Sequence, residues 1–131
     1  MIPAVMVLNA RGGALGLSSP MTYFWGSGLL SSFLDNAPTY VTFLAAAQGQ
    51  VGVVHALDMT HSAAGELLLT AVSAGSVFMG ANTYIGNGPN FMVKSVAERM
   101  GVRMPTFFGY MGWSCLILLP LFGLVTIVFL R

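Results

Sequence analysis

The chain has 131 residues, of which 56% are hydrophobic and only 7% charged, with a formal net charge of +1. Soluble domains carry about 25% charged residues, so an ordinary soluble fold is excluded. The small net charge, with no basic cluster interleaved with aromatics, excludes nucleic acid as a partner. Cys115, the one cysteine, excludes an internal disulfide or a cysteine metal site.

The charged residues leave uncharged runs at 12–34, 36–57, 67–93 and 104–130. At about 20 residues per crossing, each is long enough to reach across or deep into a bilayer. The opening MIPAVMVLNARGG lacks a basic region before its apolar stretch and a small-residue cleavage site, so it does not read as a signal peptide. It reads instead as the last turns of a helix closed by Arg11, Gly12 and Gly13.

Gly12 to Pro20 reads as a loop ending in helix-start chemistry, with Ser19 as the cap and Pro20 in the first helical position. A helix from there has about 14 residues before Asp35-Asn36-Ala37-Pro38, roughly 21 Å at 1.5 Å per residue. The hydrocarbon core is about 30 Å thick. Together with the following TYVTFLAAAQGQVGVV, the segment predicts a re-entrant helical hairpin over 21–54 with Asp35, Asn36 and Pro38 at its tip. Two full spans joined by an exposed turn are the alternative.

The stretch 55–66, HALDMTHSAAGE, reads as an extracytoplasmic loop. His55, Asp58 and His61 recur every three residues, a spacing that can gather metal ligands on one helical face; a solvated connection is the preferred reading. From 67 to 101 the pattern is that of a discontinuous helix. Leu67 to Ala81 supplies about 22 Å of apolar helix, and Asn82-Thr83-Tyr84-Ile85-Gly86-Asn87-Gly88-Pro89-Asn90 then breaks it. Irregular backbone at membrane depth is tolerated only where protein buries it or where it lines a polar cavity, so the break is itself a functional signal.

The second half-helix, from Phe91, leads into Lys94, Glu98, Arg99 and Arg103, and the positive-inside rule places residues 94–103 in the cytoplasm as a topological anchor. From 106 to 130 an unbroken apolar run with Tyr110 and Trp113 predicts one complete transmembrane helix, kinked at Pro120, with the C-terminus extracytoplasmic. Gly109, Gly112 and Ser114 suit close helix packing.

The two interruptions echo each other, Asn36-Ala37-Pro38 and Asn87-Gly88-Pro89, each with a Thr-Tyr pair nearby. Both offer amides, hydroxyls and freed carbonyls, the oxygen ligands of a hard cation such as Na⁺. Half-helix N-termini in the same place equally suit a carboxylate. Asp35 tilts the choice toward a cation. It is the one acid inside an apolar segment, and an acid there holds a cation or a proton, the competition an exchanger needs; hydrogen bonding across the hairpin tip is its structural alternative.

LSSFLDNAPTYVTFLAAAQG and SAGSVFMGANTYIGNGPNFMVKSVAERMGVRMPTFFGYMGWS resemble the C-terminal part of the ion transporter superfamily, which groups NhaD-type sodium/proton antiporters, arsenite permeases and citrate or dicarboxylate carriers. The resemblance covers nearly the whole chain. It implies an all-α membrane protein built from inverted repeats, of which this chain is the second, making 1–131 a single membrane domain and a C-terminal fragment. Its hairpin motif falls on Ser31, Ser32, Asp35, Asn36, Pro38 and Thr39. Its discontinuous-helix motif falls on Asn82, Thr83, Gly86, Asn87, Gly88, Pro89 and Asn90. Na⁺ is expected at Asp35, Asn36, Asn82 and Asn87.

Dicarboxylate carriers of the superfamily show Ser-Asn-Thr at the hairpin tip, where this chain has Asp35-Asn36-Ala37, which favours the antiporter branch. The expected function is therefore secondary transport by sodium/proton antiport. The alternatives are sodium- or proton-coupled citrate or dicarboxylate transport, or a truncated membrane subunit without activity of its own. No cofactor is expected beyond Na⁺ and H⁺ as transported or coupling ions. The expected partners are the lipid bilayer, an N-terminal repeat from the same gene or a partner chain, and a second copy in a homodimer. The expected location is the bacterial inner membrane. An enzyme is not expected, since no nucleophile is paired with a base and no cofactor loop is present.

Overall fold

The computed structural model describes residues 6, 7, 17 and 19–130. Most of residues 1–10, most of the loop before Ser19, and Arg131 lie outside the described residues. What is described is helical: α1 (Pro20–Ser31), α2 (Asn36–Val51), α3 (Ala63–Phe78), α4 (Gly88–Arg99) and α5 (Phe107–Phe129), with short 3₁₀ turns at Ala56–His61 and Met79–Asn82.

The start of α1 follows from its sequence. The Ser19 side chain accepts from the Thr22 N–H, Thr22 Oγ1 accepts from the Ser19 N–H, and Pro20 sits where its missing N–H costs nothing. At 12 and 16 residues, α1 and α2 are about 18 and 24 Å long, both short of a bilayer core. They form a hairpin whose tip is Ser32–Asp35. Asp35 caps α2, its carboxylate accepting from the Asn36 N–H at 2.8 Å. Gly52, at φ 77°, ends α2 in the left-handed conformation that a side chain disfavours.

The loop expected over 55–66 contains a 3₁₀ turn and the first turn of α3, because Ser62 accepts from the Gly65 N–H and starts the helix at Ala63. The expected short first half-helix is longer for the same reason. With the 3₁₀ turn added, Ala63–Asn82 is 20 residues, long and apolar enough to cross a membrane. The second such segment is α5, which runs through Pro120 as one helix of about 35 Å.

Small residues set the packing. A Cβ at Gly75 would collide with Phe24 O, and one at Gly28 with the Met79 side chain, so α1 and α3 lie almost in backbone contact. They run in the same direction and finish together. Around them Tyr23, Phe24, Ala46, Ala47, Leu68, Ala71, Val72, Met79 and Phe122 form the core. The outward side is equally apolar: Phe108, Trp113, Leu116, Ile117, Leu124, Ile127 and Val128 of α5 are all more than half exposed. An apolar core with an apolar exterior is the pattern of a bilayer protein, and the chain is an all-α membrane protein.

Candidate functional site

Where α1 and the Ala63–Asn82 segment end together, their polar residues meet. Ser31 Oγ donates to Ser76 O at 2.5 Å. Ser32 Oγ donates to Met79 O at 2.9 Å and accepts from Asn82 Nδ2 at 3.1 Å. Thr83 Oγ1 donates to Ser32 O and accepts from the Gly86 N–H at 3.0 Å. Ser31, Ser32, Asn82 and Thr83 are all buried, so these bonds form without competition from water.

Asn36 joins the cluster through its amide. The inward-facing end meets the carbonyls of Ser76 and Gly86, each at 2.9 Å, and Ser31 Oγ at 2.7 Å. Two of these partners are acceptors only, so the end facing them is the nitrogen. Asn36 thereby links the hairpin tip to both sides of the break. Gly86 completes the contact: a Cβ there would lie 2.5, 2.8 and 2.8 Å from the carbonyl oxygens of Ser31, Gly80 and Ser32.

The break is also held from α5. Ser114 Oγ donates to Asn82 O at 2.6 Å and Tyr110 OH to Ala81 O at 3.0 Å. These side chains satisfy carbonyls that the end of a helix leaves without internal partners. Ser114 lies about 10 Å along α5 from Phe107 and about 22 Å from Phe129, so the cluster sits well inside the length of the helix. Tyr84 stacks on Tyr110 with ring centroids 4.1 Å apart, and its hydroxyl donates to Pro105 O at 3.3 Å.

Of the residues singled out from sequence, Ser31, Ser32, Asn36, Asn82, Thr83 and Gly86 come together. Thr39 is buried beside them, its hydroxyl donating to Asp35 O at 3.0 Å within the first turn of α2. Asn90 stands at the edge, its Nδ2 donating to Thr83 O at 3.5 Å. Asp35 is exposed at the tip, and Asn87 caps α4 without a side-chain bond to it. Of the expected Na⁺ ligands, the structure thus brings Asn36 and Asn82 into the cluster, leaves Asp35 exposed at the tip where its carboxylate bonds the Asn36 N–H, and leaves Asn87 outside. Among the described residues no three His, Cys, Asp or Glu come together, so His55, Asp58 and His61 do not form a metal centre there.

Ser76, Tyr110 and Ser114 belong to the site and were not identified as site residues from sequence. The available signal for Ser76 was a serine near the break, one it shares with Ser73 and Thr70 of the same helix. Ser76 Oγ and Asn82 Oδ1 are buried with no hydrogen-bond partner among the described residues. A water or an ion is a partner that would satisfy such atoms.

The chain matches, over residues 1–130, the family described as "Putative citrate transport". It belongs to this family. No curated protein and no solved structure matches it. Membership in the citrate-transport family and the two apolar helices make the chain an integral membrane transporter, and the buried polar cluster is its candidate transport site.

Proposed function

We propose that the chain carries the site of a secondary transporter that moves citrate or a related carboxylate together with Na⁺. The observation that carries this reading is the meeting of the hairpin tip with both sides of the helix break around Asn36, Asn82 and Gly86. The C-terminal ends of α1 and of the Met79–Asn82 turn present carbonyls and negative dipole ends, which favour a cation. The N-terminal end of α2 opens at Asn36, and its positive dipole end favours a carboxylate, the role the Asp35 side chain fills at the Asn36 N–H. Asn82 Oδ1, buried and lacking a donor, is the side-chain oxygen best placed to serve Na⁺. The family description points to the same cargo.

In this reading α1 and α2 form a re-entrant hairpin over 21–54 that dips into the bilayer to the level of the break. The charged side chains of residues 94–103 lie at the cytoplasmic surface of the bilayer, and the C-terminus lies across a bacterial inner membrane. A second, inverted repeat, from the same gene or a partner chain, supplies the other side of the cavity, and two such units pair as a homodimer. Sodium/proton antiport is the second reading, favoured by Asp35, the one acid of the hairpin, exposed at its tip.

The test is transport by the gene's protein product in sealed vesicles. An inward Na⁺ gradient should drive accumulation of labelled citrate, and collapsing that gradient should abolish it. Asp35→Asn should leave this uptake standing. Proton movement driven by Na⁺ without citrate, and lost in Asp35→Asn, would instead establish antiport. Neither flux in a folded, inserted protein would leave a membrane subunit without transport of its own.

A further inference from the structure

Helix α4 turns its faces the opposite way from a helix of a soluble protein. Its polar side meets the rest of the chain: Asn90 donates to Thr83 O at 3.5 Å, and Lys94 Nζ stands 5.5 Å from the centroid of the Tyr84 ring while pairing with Glu98 at 2.5 Å. Nearly half a turn around the helix, Met92, Val96 and Met100 point outward, 66, 54 and 78% exposed. With Val93 and Ala97 they line an apolar concavity of about 370 Å³. No residue of α4 is buried. A helix with polar groups inward and apolar groups outward is oriented for hydrocarbon.

Charge fixes how deep it lies. Between residues 94 and 103, three basic side chains stand against one acid, and the Lys94–Glu98 pair matches the charge of Lys94. Arg99 and Arg103 are exposed, and among the described residues neither forms an ion pair. Arg99 is three residues beyond Val96 and so borders the apolar stripe. An apolar strip bordered by the unmatched Arg99, with the exposed and unmatched Arg103 four residues further along the chain, is complementary to an acyl chain ending in a phosphodiester, which guanidinium groups bind bidentately.

We propose that the outward face of α4, with Arg99 and Arg103, binds an anionic phospholipid at the cytoplasmic headgroup layer. Its acyl chain lies along Met92, Val96 and Met100. The site is separate from the polar cluster and stands whether or not citrate is the cargo.

The test uses the whole protein in mixed phosphatidylcholine and phosphatidylglycerol bilayers, with co-purifying lipid measured by native mass spectrometry. Phosphatidylglycerol should be retained over phosphatidylcholine, falling about fivefold for each arginine removed in Arg99→Gln and Arg103→Gln. The charge-conserving Arg99→Lys with Arg103→Lys should keep most of the preference, which separates loss of charge from loss of fold. A spin label at Val96→Cys, on a Cys115→Ser background, should be relaxed by dioxygen and not by a water-soluble nickel chelate. Equal retention of the two lipids, or retention unchanged by the glutamines, would overturn the proposal. So would a label shielded from both relaxants, the signature of a protein partner on this face.

Discussion

Three carbonyl oxygens, of Ser31, Ser32 and Gly80, crowd the position a Cβ would take at Gly86, so a side chain there displaces backbone rather than a flexible tip. Gly88, two residues on, has nothing within 4 Å of the position a Cβ would take, and its φ is not left-handed. The pair makes a sharp comparison within one glycine-rich loop. Gly86→Ala should lower stability by about 1–3 kcal/mol, the usual range for overpacking, and suppress transport. Gly88→Ala should stay within about 0.5 kcal/mol of the parent. Thermal unfolding in detergent and vesicle uptake check both. Equal effects of the two substitutions would mean that the carbonyl cluster does not constrain the break.

At the scale of the elements, α5 is more than a membrane anchor, because Ser114 and Tyr110 hold the carbonyls of Asn82 and Ala81 at the point where the preceding segment stops being helical. Ser114→Ala leaves a buried carbonyl without its donor, at a cost of about 1–3 kcal/mol. Tyr110→Phe keeps the stack on Tyr84 and removes only one hydroxyl, so its cost should be nearer about 1 kcal/mol. The two melting temperatures should fall in that order, with citrate uptake falling alongside. Wild-type melting of Ser114→Ala would remove α5 from the site.

The boundaries of these elements were legible where local chemistry sets them. Ser19-Pro20 starts α1, and Asp35 before Asn36 starts α2. Gly88-Pro89 reads from sequence as part of a breaker, yet it opens α4, since proline is accommodated in a first turn. The reach of Ala63–Asn82 was hidden because Ser62, a loop residue by composition, acts as a cap, and because a 3₁₀ turn extends the helix past its apolar stretch.

For the whole molecule, pattern alone revealed that polar, proline-containing breaks interrupt apolar segments, and the structure brings the hairpin tip against the second break. The individual partners were not legible, because they depend on how the helices are aligned. Ser31 meets Ser76, and Ser32 meets Asn82, only because α1 and α3 run in the same direction and end at one level. The same geometry explains why Asp35, conspicuous in sequence as a lone acid, stands at the exposed tip while the neutral Asn36 enters the cluster. The carbonyls and the Asn82 amide oxygen gathered there are the basis for assigning a cation to the site, and the family description is the basis for the carboxylate.

The most direct test of that assignment is the melting temperature of the purified protein in NaCl against equimolar choline chloride, for the wild type and for Asn82→Ala. A ligand that binds only the folded state stabilises it by about 2.7 kcal/mol at one hundred times its dissociation constant. The account predicts that Na⁺ raises the melting temperature of the wild type and that a folded Asn82→Ala protein loses most of that rise. Identical melting in both salts, or an undiminished Na⁺ shift in Asn82→Ala, would contradict it.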